Sequence, residues 1–93
     1  MGKIVVTMKV LQDSPDRDLR EIGGKTEDMI LKHGKLYKRS IEPIAFGINA
    51  LVFSFILDES KNYEAIAEEV KKIKGVGDSQ ITDVTKMLDV NFG

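Results

Sequence analysis

The segment from Ile48 to Leu57 constrains the fold of this chain more than any other, because both of its alternating sets of side chains are apolar. One set consists of Ile48, Ala50, Val52 and Ile56, and the other of Leu51, Phe53, Phe55 and Leu57. A strand that is apolar on both faces belongs inside a sheet rather than at its edge. Residues 48–57 are therefore predicted to form a central strand.

The flanking segments supply three further strands and two helices. Apolar and β-branched residues alternate over 3–11, which predicts a strand, and apolar residues recur at helical spacing over 15–33 and 61–74. Residues 35–42 and 79–88 complete the strands, and the first of these, partly polar and containing lysine, is predicted to lie at an edge. The order of elements is βαββαβ.

This order predicts one α+β domain over residues 1–93. Each strand–helix–strand crossover is right-handed, and two such units interleave into a ferredoxin-like sandwich, a four-stranded antiparallel sheet with two helices on one face. The other face of the sheet stays open, which gives the apolar central strand two interpretations. Either Phe53 and Phe55 face the helices, or they form an exposed patch for a partner, a ligand or a second copy.

The first helix carries three local signals. Ser14 and Pro15 suit its N-cap and its first position, and Gly34 suits its end. Gly23 and Gly24 lie in its middle, where each costs about 1 kcal/mol relative to alanine. We expect a kink, a break or a close contact between helix and sheet at these two glycines.

Composition excludes several kinds of site. The chain has no cysteine, which excludes a disulfide or a thiolate metal site, and His33 is its single histidine, which excludes a histidine-rich one. The 14 basic and 15 acidic residues provide no positive excess to hold nucleic acid. No apolar run approaches the roughly 18 residues of a membrane span, and the first residues are too short an apolar stretch for a signal peptide. We expect no cofactor, no metal, no direct nucleic-acid contact and no membrane contact.

Two motifs match known sites only in part. Residues 23–26, Gly-Gly-Lys-Thr, look like the end of a phosphate-binding loop, but Leu19 stands where that loop requires its first glycine. The stretch Leu51–Phe55 is similar to part of the strand-three signature of the RNA-recognition module, but the basic–Gly–aromatic half that should precede it is missing. An RNA-binding domain and a small-molecule regulatory domain of the same topology are the alternative functions.

The connection between the second and third strands, Pro43 to Gly47, is unusual because it carries Ile44 and Phe46. Loop side chains lie at the surface, where polar residues are the norm. Pro43 and Gly47 stiffen the connection, which lowers the ordering cost of binding, and a displayed aromatic suits an interface anchor. The alternative is that Phe46 folds back over the end of the core, and the residues alone leave both interpretations open.

The same connection resembles a family signature. The segment Glu42-Pro43-Ile44-Ala45-Phe46-Gly47, followed by Ala50-Leu51, is similar to the signature of archaeal elongation factor 1-beta. Two weaker matches are Ser14-Pro15-Asp16 with Leu19, similar to the family's first strand–helix junction, and Thr82-Asp83-Val84, similar to its last strand. The resemblance covers nearly the whole chain.

The resemblance implies a cytoplasmic exchange factor that replaces GDP by GTP on elongation factor 1-alpha and performs no covalent chemistry. The partner contacts that it implies are Pro43, Ile44, Phe46 and Gly47. It implies no nucleotide site in the chain itself, in agreement with the incomplete phosphate loop. A second copy of the chain, bound through the open sheet face, is a further partner that the fold allows.

One position departs from the family pattern. Eukaryotic relatives end with a penultimate lysine at the Mg²⁺ site of the partner, whereas here Asp89 stands at the matching position and Phe92 is penultimate. Lys86 lies three residues before Asp89 and is the candidate to supply the cation.

Overall fold

The computed structural model of the chain describes residues 2–87. The elements in order are β1 (Lys3–Gln12), α1 (Leu19–His33), β2 (Lys35–Ala45), β3 (Ile48–Asp58), α2 (Tyr63–Lys71) and β4 (Val76–Lys86). The four strands form one sheet in the order β2-β3-β1-β4, and every neighbouring pair is antiparallel. The ferredoxin-like fold, the interior position of β3 and the edge position of β2 are confirmed.

The core lies between the helices and one face of the sheet. On β3 the residues with no exposed surface include Phe53 and Phe55, and the facing positions of β1 include Val6 and Met8, which are equally buried. Ile30 of α1 closes the core from the helix side. The two phenylalanines therefore face the helices, which confirms the first of the two interpretations and excludes an exposed phenylalanine patch. They also cannot stack on nucleic-acid bases, which removes the main support for the RNA-binding alternative.

The open face of the sheet is mixed in character. Thr7 and Ser54 share a hydrogen bond of 3.2 Å between their hydroxyl groups, and Lys9 forms an ion pair of 3.2 Å with Glu42. Smaller apolar side chains such as Val52 are half-buried between these polar groups. Self-association through this face stays a prediction.

Helix α1 begins later than its sequence signals suggested. Asp18 is the N-cap, and its carboxylate accepts a hydrogen bond of 2.9 Å from the backbone N–H of Arg20. Ser14 instead accepts from the backbone N–H of Arg17 through its carbonyl, in a turn before the helix. The prediction of Ser14 and Pro15 as cap and first helical residue is wrong, because serine and aspartate cap helices about equally well and the sequence offers both.

The two glycines of α1 do not interrupt the helix. Gly23 is buried beneath the guanidinium group of Arg39 on β2, and a Cβ at this position would lie 2.9 Å from Arg39 Cζ. Arg39 also pairs with Glu27 at 2.6 Å and lies 5.6 Å from the ring centre of Phe53. The close contact between helix and sheet is confirmed at Gly23, whereas the kink or break is wrong.

The pairing of the two outer strands shifts register at four places, at Tyr37 and Ile44 in β2 and at Gly77 and Thr82 in β4. The register between β2 and β3 shifts at Tyr37, so Leu36 and Arg39 lie on the same face, whereas strict alternation would place them on opposite faces. A similar shift at Thr82 in β4 places Ile81 and Val84 on one face, because they pair with Met8 and Val6 of β1. Because of this bulge, Ile81 and Val84 share a face although they lie an odd number of positions apart in the sequence.

Several boundaries also differ from the sequence prediction. Helix α2 is shorter than 61–74 and begins after Asn62, whose side chain accepts a hydrogen bond from the backbone N–H of Ala65. Strand β4 covers Val76–Lys86 rather than 79–88. Leu88 and the tail from Asp89 to Gly93 lie outside the described residues.

Candidate functional site

The connection between β2 and β3 is a tight hairpin. Ala45 pairs with Ile48, which leaves only Phe46 and Gly47 in the loop. Both residues have positive φ, 55° at Phe46 and 78° at Gly47, the combination that a type I′ turn requires. The longer connection predicted from Pro43 to Gly47 is therefore wrong in length. Its first three residues continue β2, because proline is tolerated in an edge strand.

Phe46 lies at the tip of this hairpin and points away from the protein. Its side chain is 97% exposed, so the interpretation that it covers the end of the core is wrong. A left-handed backbone costs an L-residue other than glycine about 1–2 kcal/mol. Neither the exposed ring nor the left-handed backbone of Phe46 stabilises the fold. The stability of the folded chain therefore does not account for a phenylalanine at this position.

The surroundings of Phe46 are apolar. The six residues from Pro43 to Ile48 include no ionisable side chain, and Ile44 is 43% exposed beside the tip. A shallow open groove of about 570 Å³ lies next to it, and its lining includes the apolar Leu11, Ile44, Phe46 and Ile48 and the polar Gln12, Asp13 and Asp78. The hairpin therefore presents an uncharged, exposed aromatic side chain beside a groove that is mostly apolar.

Two residues that the sequence analysis did not assign to the site support the hairpin. Pro15 lies against the turn, since a Cβ on Gly47 would come within 3.4 Å of its ring. Gln12, the last residue of β1, is buried and bonds to the backbone of Asn49 at the base of the hairpin. A glutamine at the end of a strand usually faces water, so no pattern in the sequence indicates this role.

The loop that carries Pro15 is held by an ion pair. Arg17 Nε donates to Asp13 Oδ1 at 2.7 Å, and a second guanidinium nitrogen reaches Oδ2 at 3.3 Å. The hydrogen bond to Asp13 and its negative charge raise the pKa of Arg17 above its ordinary value. The ion pair between Arg17 and Asp13 therefore connects the two ends of this loop.

Lys86 is not part of the hairpin site. It is the last residue of β4 and pairs with Ile4 at the start of β1, whereas the hairpin leaves the sheet next to Leu11. Ile4 and Leu11 are seven residues apart on an extended strand. At about 3.4 Å per residue, Lys86 and the base of the hairpin are therefore about 24 Å apart along the sheet. The Lys86 side chain is 71% exposed and lies 3.7 Å from Glu59. Asp89 and Phe92, used in the sequence comparison, lie outside the described residues.

Within residues 2–87, histidine, aspartate and glutamate side chains form no group that could hold a metal ion. No helix in that range is both long enough and apolar enough to cross a membrane.

Comparisons with known proteins place these features in a family. Residues 5–87 match the model of the EF-1 guanine nucleotide exchange domain. The chain is 37% identical to elongation factor 1-beta of Methanothermobacter thermautotrophicus over 95% of this chain and 100% of that protein. It is 32% identical to elongation factor 1-beta of Nanoarchaeum equitans over 85% and 99% of the two chains.

A solved structure shares the fold at low identity. The ACT domain from GTP pyrophosphokinase of Chlorobium tepidum superposes with a TM-score of 0.64 and 10% identity, over 86% of this chain and 99% of that one. At this identity the likeness extends to the fold alone. Because the family model covers most of the chain, and full-length relatives exceed 30% identity, the chain belongs to the EF-1 guanine nucleotide exchange domain family.

Proposed function

We propose that this chain promotes the exchange of GDP for GTP on elongation factor 1-alpha, in the cytoplasm and without covalent chemistry of its own. Membership of the exchange-domain family over residues 5–87 supports the activity. The observation that carries the proposal is Phe46, an almost fully exposed aromatic held at positive φ on an uncharged hairpin tip. Such a residue suits a contact with another protein.

Exchange of this kind is a linkage effect. A factor that binds the conformation of a G protein with poor Mg²⁺ and phosphate contacts lowers nucleotide affinity, and the nucleotide lowers the affinity of the factor by the same amount. The Mg²⁺ ion and phosphates order the switch segments of such proteins, so a contact that shifts these segments releases GDP. The factor needs only a rigid surface that fits the altered conformation.

The hairpin meets that requirement. Its turn has two residues, and Pro43 and Ala45 pair with Asn49 and Ile48 of β3 on either side of a register shift at Ile44, so little backbone freedom is lost on binding. Burial of a phenylalanine side chain contributes about 1.5–3 kcal/mol. Phe46 supplies this contribution to the complex because nearly all of its surface is exposed beforehand. Pro43, Ile44 and Gly47 flank Phe46 in the hairpin and are the further proposed contacts.

Lys86 enters the proposal as a separate contact at the opposite end of the sheet. Its only ion pair with a described residue, 3.7 Å from Glu59, is exposed and therefore weak. A long side chain with so loose a tie can turn its ammonium group toward a partner. A cation near the Mg²⁺ site would compete with the metal for the same negative charge.

The direct test is release of labelled GDP from elongation factor 1-alpha of the same source. Adding this chain is expected to raise the release rate in proportion to its concentration until the partner is saturated. The chain alone is expected to retain no labelled nucleotide. Release at the spontaneous rate, from a partner that still binds GDP and Mg²⁺, would contradict the proposal.

Replacing Lys86 by alanine is expected to slow exchange by about threefold to tenfold, the range of one charge contact at a protein interface. The acceleration should also lose part of its dependence on salt, because a screened charge has been removed. The measurement is the GDP-release rate at two ionic strengths. Lys61→Ala is the matched control, an exposed lysine near the same end of the sheet. Equal effects of the two changes would exclude a specific role for Lys86.

A further inference from the structure

The hairpin that carries Phe46 extends beyond the rest of the sheet. Strands β1 and β3 pair as far as Leu11 and Ala50. From that level to the turn, β2 and β3 have only each other as ladder partners. A two-stranded ribbon is marginally stable in water by itself. The direction of the tip therefore depends on what fixes the base of the ribbon.

Gln12 is the residue at that base. The register between β1 and β4 shifts after Leu11, and the backbone of Gln12 then pairs with Val76. Its side chain turns to the other neighbour, and Oε1 accepts a hydrogen bond of 2.9 Å from the backbone N–H of Asn49. The side-chain amide thus supplies the next acceptor for β3 where the β1–β3 ladder ends.

The same amide group also reaches the loop beneath the turn. Gln12 Nε2 donates a hydrogen bond of 2.8 Å to the carbonyl oxygen of Arg17. This loop also carries Pro15, which lies against Gly47 of the turn. Gln12 is only 5% exposed, so water has little access to the groups it joins. One buried side chain therefore connects the hairpin base with the loop that supports the hairpin tip.

We propose that Gln12 is a positioning residue for the partner contact, and that it fixes the direction in which the hairpin presents Phe46. This inference rests on the proposed function, because the direction of Phe46 affects exchange only if Phe46 contacts the partner. Gln12 is too deeply buried to be a major contact itself. It affects the partner contact only by fixing the direction of the hairpin that carries Phe46.

The test replaces Gln12 by methionine, which has a similar length and forms neither hydrogen bond. Amide hydrogen exchange of Asn49 is expected to accelerate, together with that of the hairpin residues up to Ile48, while the core strands stay protected. GDP release stimulated by this variant is expected to fall roughly threefold to tenfold, the equivalent of one buried hydrogen bond. The Asn49 measurement requires no partner protein.

A role confined to stability is distinguished by a double-mutant cycle. In the Phe46→Ala background, Gln12→Met should produce no further loss of exchange, because the ring that it positions is gone. Ser79→Ala is the control for loss of a buried polar group, since Ser79 is 2% exposed and its hydroxyl bonds to no described residue. That control should leave both exchange and Asn49 protection unchanged.

Three results would overturn the inference. They are unchanged protection of Asn49 in the Gln12→Met variant, unchanged exchange activity of that variant, and an equal loss of exchange in both backgrounds. If the unmodified chain does not stimulate GDP release from elongation factor 1-alpha at all, the proposed function is contradicted instead. The protection of Asn49 would then still show whether Gln12 holds the hairpin.

Discussion

Replacing Phe46 by alanine is expected to slow the stimulated release of GDP from elongation factor 1-alpha by about thirtyfold or more, the effect of losing an interface hot spot of at least about 2 kcal/mol. The reason is that the ring is 97% exposed in the free chain and gains nearly all of its burial in the complex. The measurement is the release rate at a subsaturating concentration of the chain, together with its affinity for the partner.

The fold should not change in this variant. The ring contacts little of its own chain, and alanine at φ 55° is strained in the same way as phenylalanine, so the free energy of unfolding should stay within about 0.5 kcal/mol of the original. Tyr37→Ala is the matched control, because Tyr37 is an aromatic on β2 that is 68% exposed and lies nine residues before Phe46, away from the turn. Full exchange activity of Phe46→Ala, or an equal loss with Tyr37→Ala, would exclude the hairpin tip as the main contact.

The loss from Phe46→Ala should also be insensitive to salt. Residues 43–48 include no ionisable side chain, so the contact made by the tip is apolar and is not screened. The loss from Lys86→Ala should shrink at high ionic strength, because a charge is involved. Varying the ionic strength therefore distinguishes the contribution of the hairpin tip from that of Lys86, although both are measured by the same GDP-release rate.

The sequence allowed the fold to be predicted because its strongest signals are local. The two apolar faces of β3 required an interior strand, and the helical spacing of α1 and α2 required a layer over one face. The bulges at Tyr37 and Thr82 could not be predicted, because a bulge depends on the register of the neighbouring strand. The start of α1 was ambiguous for a different reason, since Ser14 and Asp18 are both suitable N-caps.

The candidate site was predictable in part. An isoleucine and a phenylalanine between Pro43 and Gly47 left two interpretations open, a displayed aromatic or a cover over the core, and the structure places Phe46 at the exposed tip. The positive φ of Phe46 was not predictable, because hairpin turns with this geometry favour asparagine, aspartate and glycine. Gln12 was missed since its role requires three backbone segments to meet, and the distance of Lys86 from the hairpin follows only from the strand register.

Replacing Gly34 by alanine is expected to lower the free energy of unfolding by about 3 kcal/mol, at the upper end of typical overpacking costs. Gly34 follows α1 with φ −165°, which any residue can adopt, so the cost is steric rather than conformational. A Cβ there would collide with the carbonyl oxygen of Ile56 and lie 2.6 Å from Leu57 Cδ2. Ile56 pairs with both β1 and β2, so its backbone cannot move aside without disturbing the sheet. The measurement is chemical denaturation followed by far-UV circular dichroism.

Gly24→Ala is the matched control for this change. Gly24 lies within α1 and is exposed, and a Cβ there would meet nothing within 4 Å. Alanine should therefore stabilise the chain by up to about 1 kcal/mol through its higher helix propensity. Because Gly34 lies near Ile56, far from the hairpin along β3, the folded fraction of Gly34→Ala should still stimulate GDP release normally. A neutral effect of Gly34→Ala on stability would mean that α1 and the sheet are less closely packed than the structure shows.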